Sequence, residues 1–216
     1  MRISFDGVDG VGKSTFAQMF AFYLKEKGHP VLLTKEPTVT CVTPHEFISD
    51  RIRLQYIHEN PFLTEYRGAR KIPIIVKDRS VYSSYHIILA GGVEAHHFYK
   101  ASGVVRPTVK YAVLQAVEPT TVTKTSRVNR IPSIEDEYEE YMGVIRKRKE
   151  KGPLPLSDYE KIVNFYRTSG IFDGRIMVRH KTEDELLDTC ERLLKESLSI
   201  YERKLVRAMS QPFETG

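Results

Sequence analysis

Glycines, a lysine and hydroxyl residues near the start of the chain have the spacing of a loop that binds phosphate groups. The stretch fits the pattern G-x-x-x-x-G-K-[ST] and consists of Gly7, Val8, Asp9, Gly10, Val11, Gly12, Lys13, Ser14 and Thr15. Glycine permits backbone angles that turn successive N–H groups toward one point, where an anion can bind. Lys13 would reach the β and γ phosphates of a nucleoside triphosphate, and the Ser14 hydroxyl would bind Mg²⁺. The spacing therefore predicts a site for ATP and Mg²⁺.

The segments on both sides of this loop have the patterns of a strand and a helix. Residues 2–5 are typical of a short strand. After the loop, one helical face carries Phe16, Met19, Phe20, Tyr23 and Leu24. This order suits the phosphate loop, because the positive end of the helix adds to the attraction of the backbone N–H groups for an anion.

Four more apolar runs predict strands, over residues 31–34, 72–77, 111–114 and 175–178. The run 31–34 is typical of a fully buried parallel strand. Helical patterns lie between the runs, and this alternation predicts a parallel, doubly wound sheet that binds its ligand at the carboxyl ends of the strands. Asp78 directly follows one of these strands, in the position of a Walker B carboxylate. We expect Asp78 to hold Mg²⁺ directly or through water.

Certain residue types predict where helices begin and end. Capping boxes, which are reciprocal hydrogen bonds at the first turn, predict helix starts at Thr43, Ser157 and Thr182. Gly28 is expected to end the first helix, because glycine accepts the left-handed conformation found there. Pro61 is expected to interrupt the helix after Thr43, since proline lacks the N–H that a helix interior needs. A second helical piece should then cover residues 62–70.

Length and composition favour one α/β domain over residues 1–216, with a lid or insert over about 119–156. The net charge of +5 suits a polyanionic ligand, and we do not expect a nucleic-acid partner. Cys41 and Cys190 have neither metal-ligand nor C-x-x-C spacing. No leader pattern or membrane-spanning apolar run is apparent, so we expect a cytoplasmic protein with no membrane partner.

Four segments resemble motifs of one family, in the same order along the chain. Residues 5–15, 35–37, 47–51 and 78–84 are similar to a hydrophobic-acidic-G-x-D-G-x-G-K-S-T loop, R-E-P, F-x-A-D-R and D-R-Y-x-x-S-S. The family is thymidylate kinase, in the nucleoside monophosphate kinase group of P-loop proteins. The resemblance implies a three-layer fold with five parallel strands in the order 2-3-1-4-5, helices on both faces and a small lid. It also implies transfer of the γ-phosphoryl group of ATP to a deoxynucleoside monophosphate, with dTMP as the expected acceptor, and it allows a homodimer.

The same resemblance implies roles for individual residues. Asp9 would face the sugar 3′-hydroxyl, and Phe47 would stack on the base. Arg51 and Arg79 would hold the acceptor phosphate, since guanidinium groups match phosphate oxygens in two-point contacts. The substrate-binding set is completed by Lys35, Glu36, Pro37 and Ser83. The catalytic candidates are Lys13, Asp9 and Arg79, together with the lid arginines Arg127 and Arg130.

Several positions leave alternatives open. The basic run 146–151 is a second source of the lid cation, although such a run is also typical of a solvated helix face. Phe47 could belong to the core, and Arg51 could be an ordinary surface residue. Ile88 stands where many family members have a base-reading Gln, and it cannot form that hydrogen bond. Tyr82, Tyr85 or His86 could replace the missing contact.

Two other functions agree with parts of the sequence. Residues 78–80 are Asp-Arg-Ser, close to the E-R-S of deoxynucleoside kinases, and Glu36 could act as a base toward a 5′-hydroxyl. Alternatively, the fold could bind ATP in a regulatory or nucleic-acid-associated protein without turnover. A GTPase is disfavoured, because the chain contains no Asn-Lys-x-Asp stretch.

Overall fold

The computed structural model describes residues 1–35, 44–80, 108–116, 133–148 and 153–210. The strands are β1 (Arg2–Asp6), β2 (Val31–Lys35), β3 (Ile74–Asp78), β4 (Thr108–Val113) and β5 (Gly174–Ile176). The helices of the described residues are α1 (Lys13–Glu26), α2 (Pro44–Glu65), α3 (Ile134–Arg148), α4 (Leu156–Thr168) and α5 (Glu183–Ser210). The sequence also has helical patterns over residues 81–89 and 93–101, and both segments lie outside the described residues.

The five strands form one sheet in the order β2-β3-β1-β4-β5. Every neighbouring pair is parallel, and Phe5 of β1 lies beside Asp78 of β3 and Tyr111 of β4. Parallel neighbours need crossover connections, which the intervening helices supply. The predicted fold class and strand order are therefore confirmed.

The two faces of the sheet differ in chemistry, because successive side chains of a strand point to opposite sides. On one face, the Phe5 ring lies edge-on to Phe16 of α1, with the ring centroids 5.2 Å apart. Tyr111, on the same face, is hydrogen-bonded to Ser197 of α5 over 3.0 Å. On the other face, Arg2 pairs with Glu59 of α2. Helices thus cover both faces, as the fold class predicts.

Two of the predicted helix ends are confirmed. Gly28 has a φ angle of 80°, and its N–H donates to the carbonyl of Lys25 over 2.8 Å. At the start of α5, the Thr182 N–H donates to Glu185 over 2.8 Å, and the Glu185 N–H donates to the Thr182 hydroxyl over 3.3 Å. These reciprocal bonds form the expected capping box. Thr43 lies outside the described residues.

The capping box predicted at Ser157 is wrong. Helix α4 begins at Leu156, its N-cap is Pro155, and no side chain caps it. Proline has the fixed φ angle that the cap needs, and its carbonyl accepts from the N–H groups of Asp158 and Tyr159. Ser157 therefore falls inside the first turn.

The predicted interruption at Pro61 is also wrong, since α2 continues through this residue to Glu65. The second helical piece expected over 62–70 is therefore the end of the same helix, followed by a turn. Proline removes one hydrogen bond but leaves the rest of the ladder intact. A tertiary contact supports the helix just before the proline, where Glu59 pairs with Arg2 and Lys77. After the proline, the Phe62 ring contacts Tyr66 four residues further along the chain.

Two burial expectations differ from the structure. Residues 31–34 of β2 are half-buried rather than fully buried, because β2 lies at the edge of the described sheet and pairs only with β3 there. The apolar spacing of α5 predicts that Leu187 is buried, but its side chain is 41% exposed. The apolar stripe of α5 is therefore narrower than the pattern suggests, with Cys190 and Leu193 fully buried.

None of the described helices is both long enough and apolar enough to cross a membrane. Of the lid predicted over about 119–156, the structure describes residues 133–148, which include α3, and residues 153–156. Arg127 and Arg130 lie outside the described residues.

Candidate active site

The phosphate loop connects the end of β1 with the start of α1. Gly12 is the N-cap of α1 with a φ angle of 91°, and Gly10 has a φ angle of 86°. Both angles are left-handed and favour glycine. Gly7 is required for a different reason, since a Cβ atom there would lie 2.3 Å from the carbonyl oxygen of Val113 on β4. The loop therefore points backbone N–H groups and the positive end of α1 toward one place, which suits an anion.

Lys13 is the first residue of α1, and its side chain is buried within this loop. Its ammonium group donates to the carbonyl of Val8 over 2.6 Å and lies 4.0 Å from the Asp9 carboxylate. Burial, and next the charge of Arg79, lower the pKa of Lys13 to about 7. A bound polyphosphate would raise the pKa of Lys13, because negative charge beside the amine favours its protonated form.

Nucleotide binding should therefore take up a proton in alkaline solution. At about pH 8.5 most Lys13 side chains with a pKa near 7 are neutral, and the added phosphates should protonate them; at about pH 6 they are already charged. Calorimetry of ATP binding in buffers of different ionisation enthalpy measures this uptake. We expect close to one proton at the higher pH and none from Lys13 at the lower. Equal uptake at both values would contradict the assignment.

Arg79 directly follows β3 and reaches the phosphate loop, where its guanidinium group pairs with the Asp9 carboxylate. This pair brings together two residues that are 70 positions apart in the sequence. Their proximity follows from the fold, because β1 and β3 are parallel neighbours and end at the same edge of the sheet.

Asp78, the last residue of β3, is also buried at this edge. Its Oδ1 atom is buried and has no hydrogen-bond partner among the described residues. The negative charge of Asp78 also acts on Lys13, whose pKa it raises. An inward-facing carboxylate oxygen of this kind fits a hard cation such as Mg²⁺, and the exposed Ser14 lies at the start of α1, next to Lys13.

A cavity of about 320 Å³ adjoins the phosphate loop. A Cβ atom on Gly10 would lie 2.8 Å from the Val144 side chain, and one on Gly12 would lie 3.4 Å from Arg179; both neighbours line the cavity. Across it, Glu140 of α3 pairs with Arg179 over 2.7 Å. The full lining consists of Asp136, Glu139, Glu140, Gly143, Val144, Lys147 and Arg179.

Helix α3 is held in place by contacts with the segment that leads into α4. The Tyr138 hydroxyl donates to the carbonyl of Leu154 over 2.7 Å, and the Leu154 N–H donates to Tyr141 over 3.1 Å. Glu137 pairs with Arg167 of α4. These contacts, with Val144 against Gly10, place α3 beside the phosphate loop.

Sequence reasoning identified the phosphate loop but missed Glu140, Val144 and Arg179. Glu140 and Val144 belong to an amphipathic helix whose pattern does not show what it faces. Arg179 could have been found, because it follows closely on β5 at the edge where ligands of parallel sheets bind.

For the remaining predicted substrate residues, the structure gives the position of Lys35 and the backbone positions of Phe47 and Arg51. Lys35 ends β2 and lies beside Asp78 in the sheet register, with an exposed side chain. The backbone positions of Phe47 and Arg51 fall within α2. The predicted sites that lie outside the described residues are Glu36, Pro37, Ser83 and the base-recognition candidates Tyr82, Tyr85, His86 and Ile88.

Comparison with known proteins finds similarity mainly in the N-terminal part. The thymidylate kinase family model matches residues 5–44. A probable thymidylate kinase of Thermococcus onnurineus is 55% identical over 40 residues, which are 18% of this chain and 20% of that protein. A probable thymidylate kinase of Pyrococcus horikoshii is 30% identical over 109 residues, which are 43% of this chain and 53% of that protein. The chain thus spans between a fifth and about half of the length of these relatives.

The fold has a wider likeness among solved structures. The crystal structure of Kti12 from Chaetomium thermophilum in complex with ADP-AlF3 has a TM-score of 0.50 and 12% identity, and the match covers 91% of this chain and 99% of that chain. At this identity the likeness concerns the fold alone. The chain therefore has a P-loop fold and, as its motifs indicate, resembles the thymidylate kinase family, most specifically over residues 5–44.

Proposed function

We propose that this protein transfers the γ-phosphoryl group of ATP to a deoxynucleoside monophosphate, with dTMP as the expected acceptor, to form the diphosphate and ADP. The observation that carries the proposal is the meeting of Lys13, Asp9 and Arg79 at the phosphate loop, beside the buried Asp78. Phosphoryl transfer depends mainly on positioning and on cations, because its transition state is loose and spreads negative charge over the transferred oxygens.

Each side chain has a distinct part in this proposal. The loop N–H groups and Lys13 bind the ATP phosphates, and Arg79 binds the acceptor phosphate. Asp9 orients the Arg79 guanidinium, with which it is already paired, and accepts from the sugar hydroxyl. Ser14 and Asp78 would hold Mg²⁺, which when bound neutralises charge on the phosphates.

The cavity between α3 and Arg179 suits the nucleoside part of ATP, since it adjoins the phosphate loop at Gly10 and Gly12. The described contacts also favour the basic end of α3 as a source of lid cations, because Lys147 lines the same cavity. Arg127 and Arg130 remain predicted lid residues.

The activity is tested by ADP release from Mg-ATP with dTMP, dUMP, other monophosphates and thymidine in turn. Phosphorylation of dTMP but not of thymidine supports the proposal. Phosphorylation of thymidine alone would instead indicate a deoxynucleoside kinase. ATP binding without turnover on any acceptor would favour a regulatory protein. A homodimer and a cytoplasmic location remain predictions from the sequence.

Replacing Arg79 with Ala should raise the KM for the monophosphate by about 10- to 150-fold, because a charge-assisted contact worth roughly 1.5 to 3 kcal/mol is lost. The KM for ATP should change much less. Steady-state kinetics with each substrate varied in turn measures both. Arg192→Ala, on the exposed face of α5, is the control and should change neither constant. Equal effects of Arg79→Ala on both substrates would instead place Arg79 at the ATP or in the scaffold.

Recognition of the base should be loose, because stacking on Phe47 tolerates any base and Ile88 offers no hydrogen bond. A missing methyl group in an apolar pocket changes kcat/KM by about 10- to 200-fold, whereas a missing hydrogen-bond partner changes it by roughly 10⁴-fold. We expect the kcat/KM for dUMP to be lower than that for dTMP by no more than the smaller of these two factors. Phe47→Ala should lower kcat/KM for both monophosphates by a similar factor. A kcat/KM for dUMP that is about 10⁴-fold lower than that for dTMP would show that another residue forms a hydrogen bond with the base. An unchanged Phe47→Ala enzyme would place Phe47 in the core.

A further inference from the structure

The turn after β3 has an unusual backbone at the residue that reaches the phosphate loop. Arg79 has a φ angle of 81°, although it is not a glycine. The left-handed region is uncommon for residues with a long side chain, because Cβ crowds the backbone there. Such a conformation persists where surrounding contacts hold it, and it is found frequently at functional sites.

Asp6 supplies contacts that hold this turn. It is the last residue of β1, precedes the first glycine of the phosphate loop, and is fully buried at 0% exposure. Its Oδ1 atom accepts from the Ser80 N–H over 2.7 Å, and the Ser80 hydroxyl lies 2.9 Å from each carboxylate oxygen. The Ser4 hydroxyl donates to Oδ2 over 3.1 Å from within β1. The residue after Arg79 is thus tied to the end of β1 through both its backbone and its side chain.

The backbone of Arg79 is attached to the same strand. Its N–H donates to the carbonyl of Phe5 over 3.1 Å, which extends the pairing between β1 and β3 by one residue. With Ser80 held by Asp6, the chain is fixed on both sides of the Arg79 Cα atom. The direction of the Arg79 side chain is then determined, and it leads to the Asp9 carboxylate.

We infer that Asp6 is a positioning residue for phosphate-acceptor binding: it holds Arg79 in its left-handed conformation and thereby aims the guanidinium at the acceptor phosphate. This inference rests on the proposed function, which assigns the acceptor phosphate to Arg79. Asp6 lies beneath the turn and acts through Ser80. A carboxylate suits this task, because one buried group accepts from both donors of Ser80.

A purely structural Asp6 would behave differently from a positioning residue. Loss of a structural contact lowers the melting temperature and the fraction of active protein. In the double variant, its effect on the KM multiplies that of Arg79→Ala. Loss of a positioning contact raises the KM of one substrate and has no further effect once the guanidinium is absent. A double-mutant cycle separates the two cases.

The experiment compares Asp6→Asn, Ser80→Ala, Arg79→Ala and the double variant Asp6→Asn with Arg79→Ala. Asparagine keeps the shape of the side chain and one acceptor oxygen but removes the charge. We expect Asp6→Asn to raise the monophosphate KM about 10-fold, the effect of weakening a charge-assisted hydrogen bond, and to change the KM for ATP much less. Ser80→Ala keeps the backbone donor and should have a smaller effect in the same direction. The double variant should match Arg79→Ala.

Ser4→Ala is the matched control, because it removes a hydrogen bond to Asp6 without touching the turn. It should leave both KM values unchanged. A normal KM in Asp6→Asn, or effects that multiply in the double variant, would overturn the inference while leaving the acceptor role of Arg79 intact. An unchanged monophosphate KM in Arg79→Ala would refute that acceptor role, and the inference with it.

Discussion

Replacing Lys13 with Met should lower phosphoryl transfer by about 10²- to 10³-fold or more, the loss expected when a preorganised donor to transition-state charge is removed. The side chain is buried inside the phosphate loop, where its ammonium group donates to the carbonyl of Val8. Methionine has similar length and cannot bind phosphate. The variant should still fold, because burial lowers the pKa of Lys13 to about 7 and so disfavours the charged amine in the native state.

Melting temperatures measured over a range of pH values test the expectation that Lys13→Met still folds. The native pKa of Lys13, about 7, lies below the ordinary value of 10.5 that applies when the chain is unfolded. The unfolded state therefore binds more protons between these values, so stability due to Lys13 should rise as the pH increases through this window. Lys13→Met should lose this rise and should be at least as stable as the wild type near neutral pH.

Lys25→Met is the matched control, because Lys25 lies on the exposed face of the same helix. Its turnover should equal that of the wild type. ADP formation by Lys13→Met at the wild-type rate, in protein with a normal melting transition, would refute the assignment of the phosphate loop.

Replacing Glu59 with Gln should lower the free energy of unfolding by about 3 to 5 kcal/mol, because it leaves buried cations without their partner. Glu59 projects from α2 onto the sheet, where one carboxylate oxygen lies 2.5 Å from Arg2 Nε and the other lies 2.8 Å from Lys77 Nζ. All three side chains are at least nine-tenths buried. Although burial would raise the pKa of Glu59, Lys77 and Arg2 outweigh that effect and lower it.

Denaturant unfolding followed by circular dichroism measures this loss. Glu191→Gln serves as the control, because it breaks an exposed pair with Lys195 on α5 and should leave the unfolding midpoint nearly unchanged. A loss below about 1 kcal/mol for Glu59→Gln would show that water or other groups replace the carboxylate, and that the cluster does not anchor α2.

Features that depend on neighbouring residues could be predicted from the sequence. The spacing of glycines, Lys13 and Ser14 specifies a phosphate loop, because the backbone angles and the helix start are set within a few residues. The alternation of apolar runs and helical periods indicated the parallel sheet for the same reason. The capping box at Thr182 is equally local, since its hydrogen bonds join residues three positions apart.

Features that depend on distant residues were decided by the tertiary structure. The sequence does not show that Asp6 reaches Ser80 or that Arg2 and Lys77 share Glu59, since these partners are brought together by strand pairing and by the docking of α2. Pro61 remains helical because the contacts of Glu59 with Arg2 and Lys77 hold α2 against the sheet and outweigh a local preference. The cavity beside Gly10 arises where α3 packs on the loop, more than 120 residues later in the chain. Sequence patterns reflect hydrogen bonds between residues that are close in the chain. Contacts between elements depend instead on which faces of the sheet and helices pack against each other.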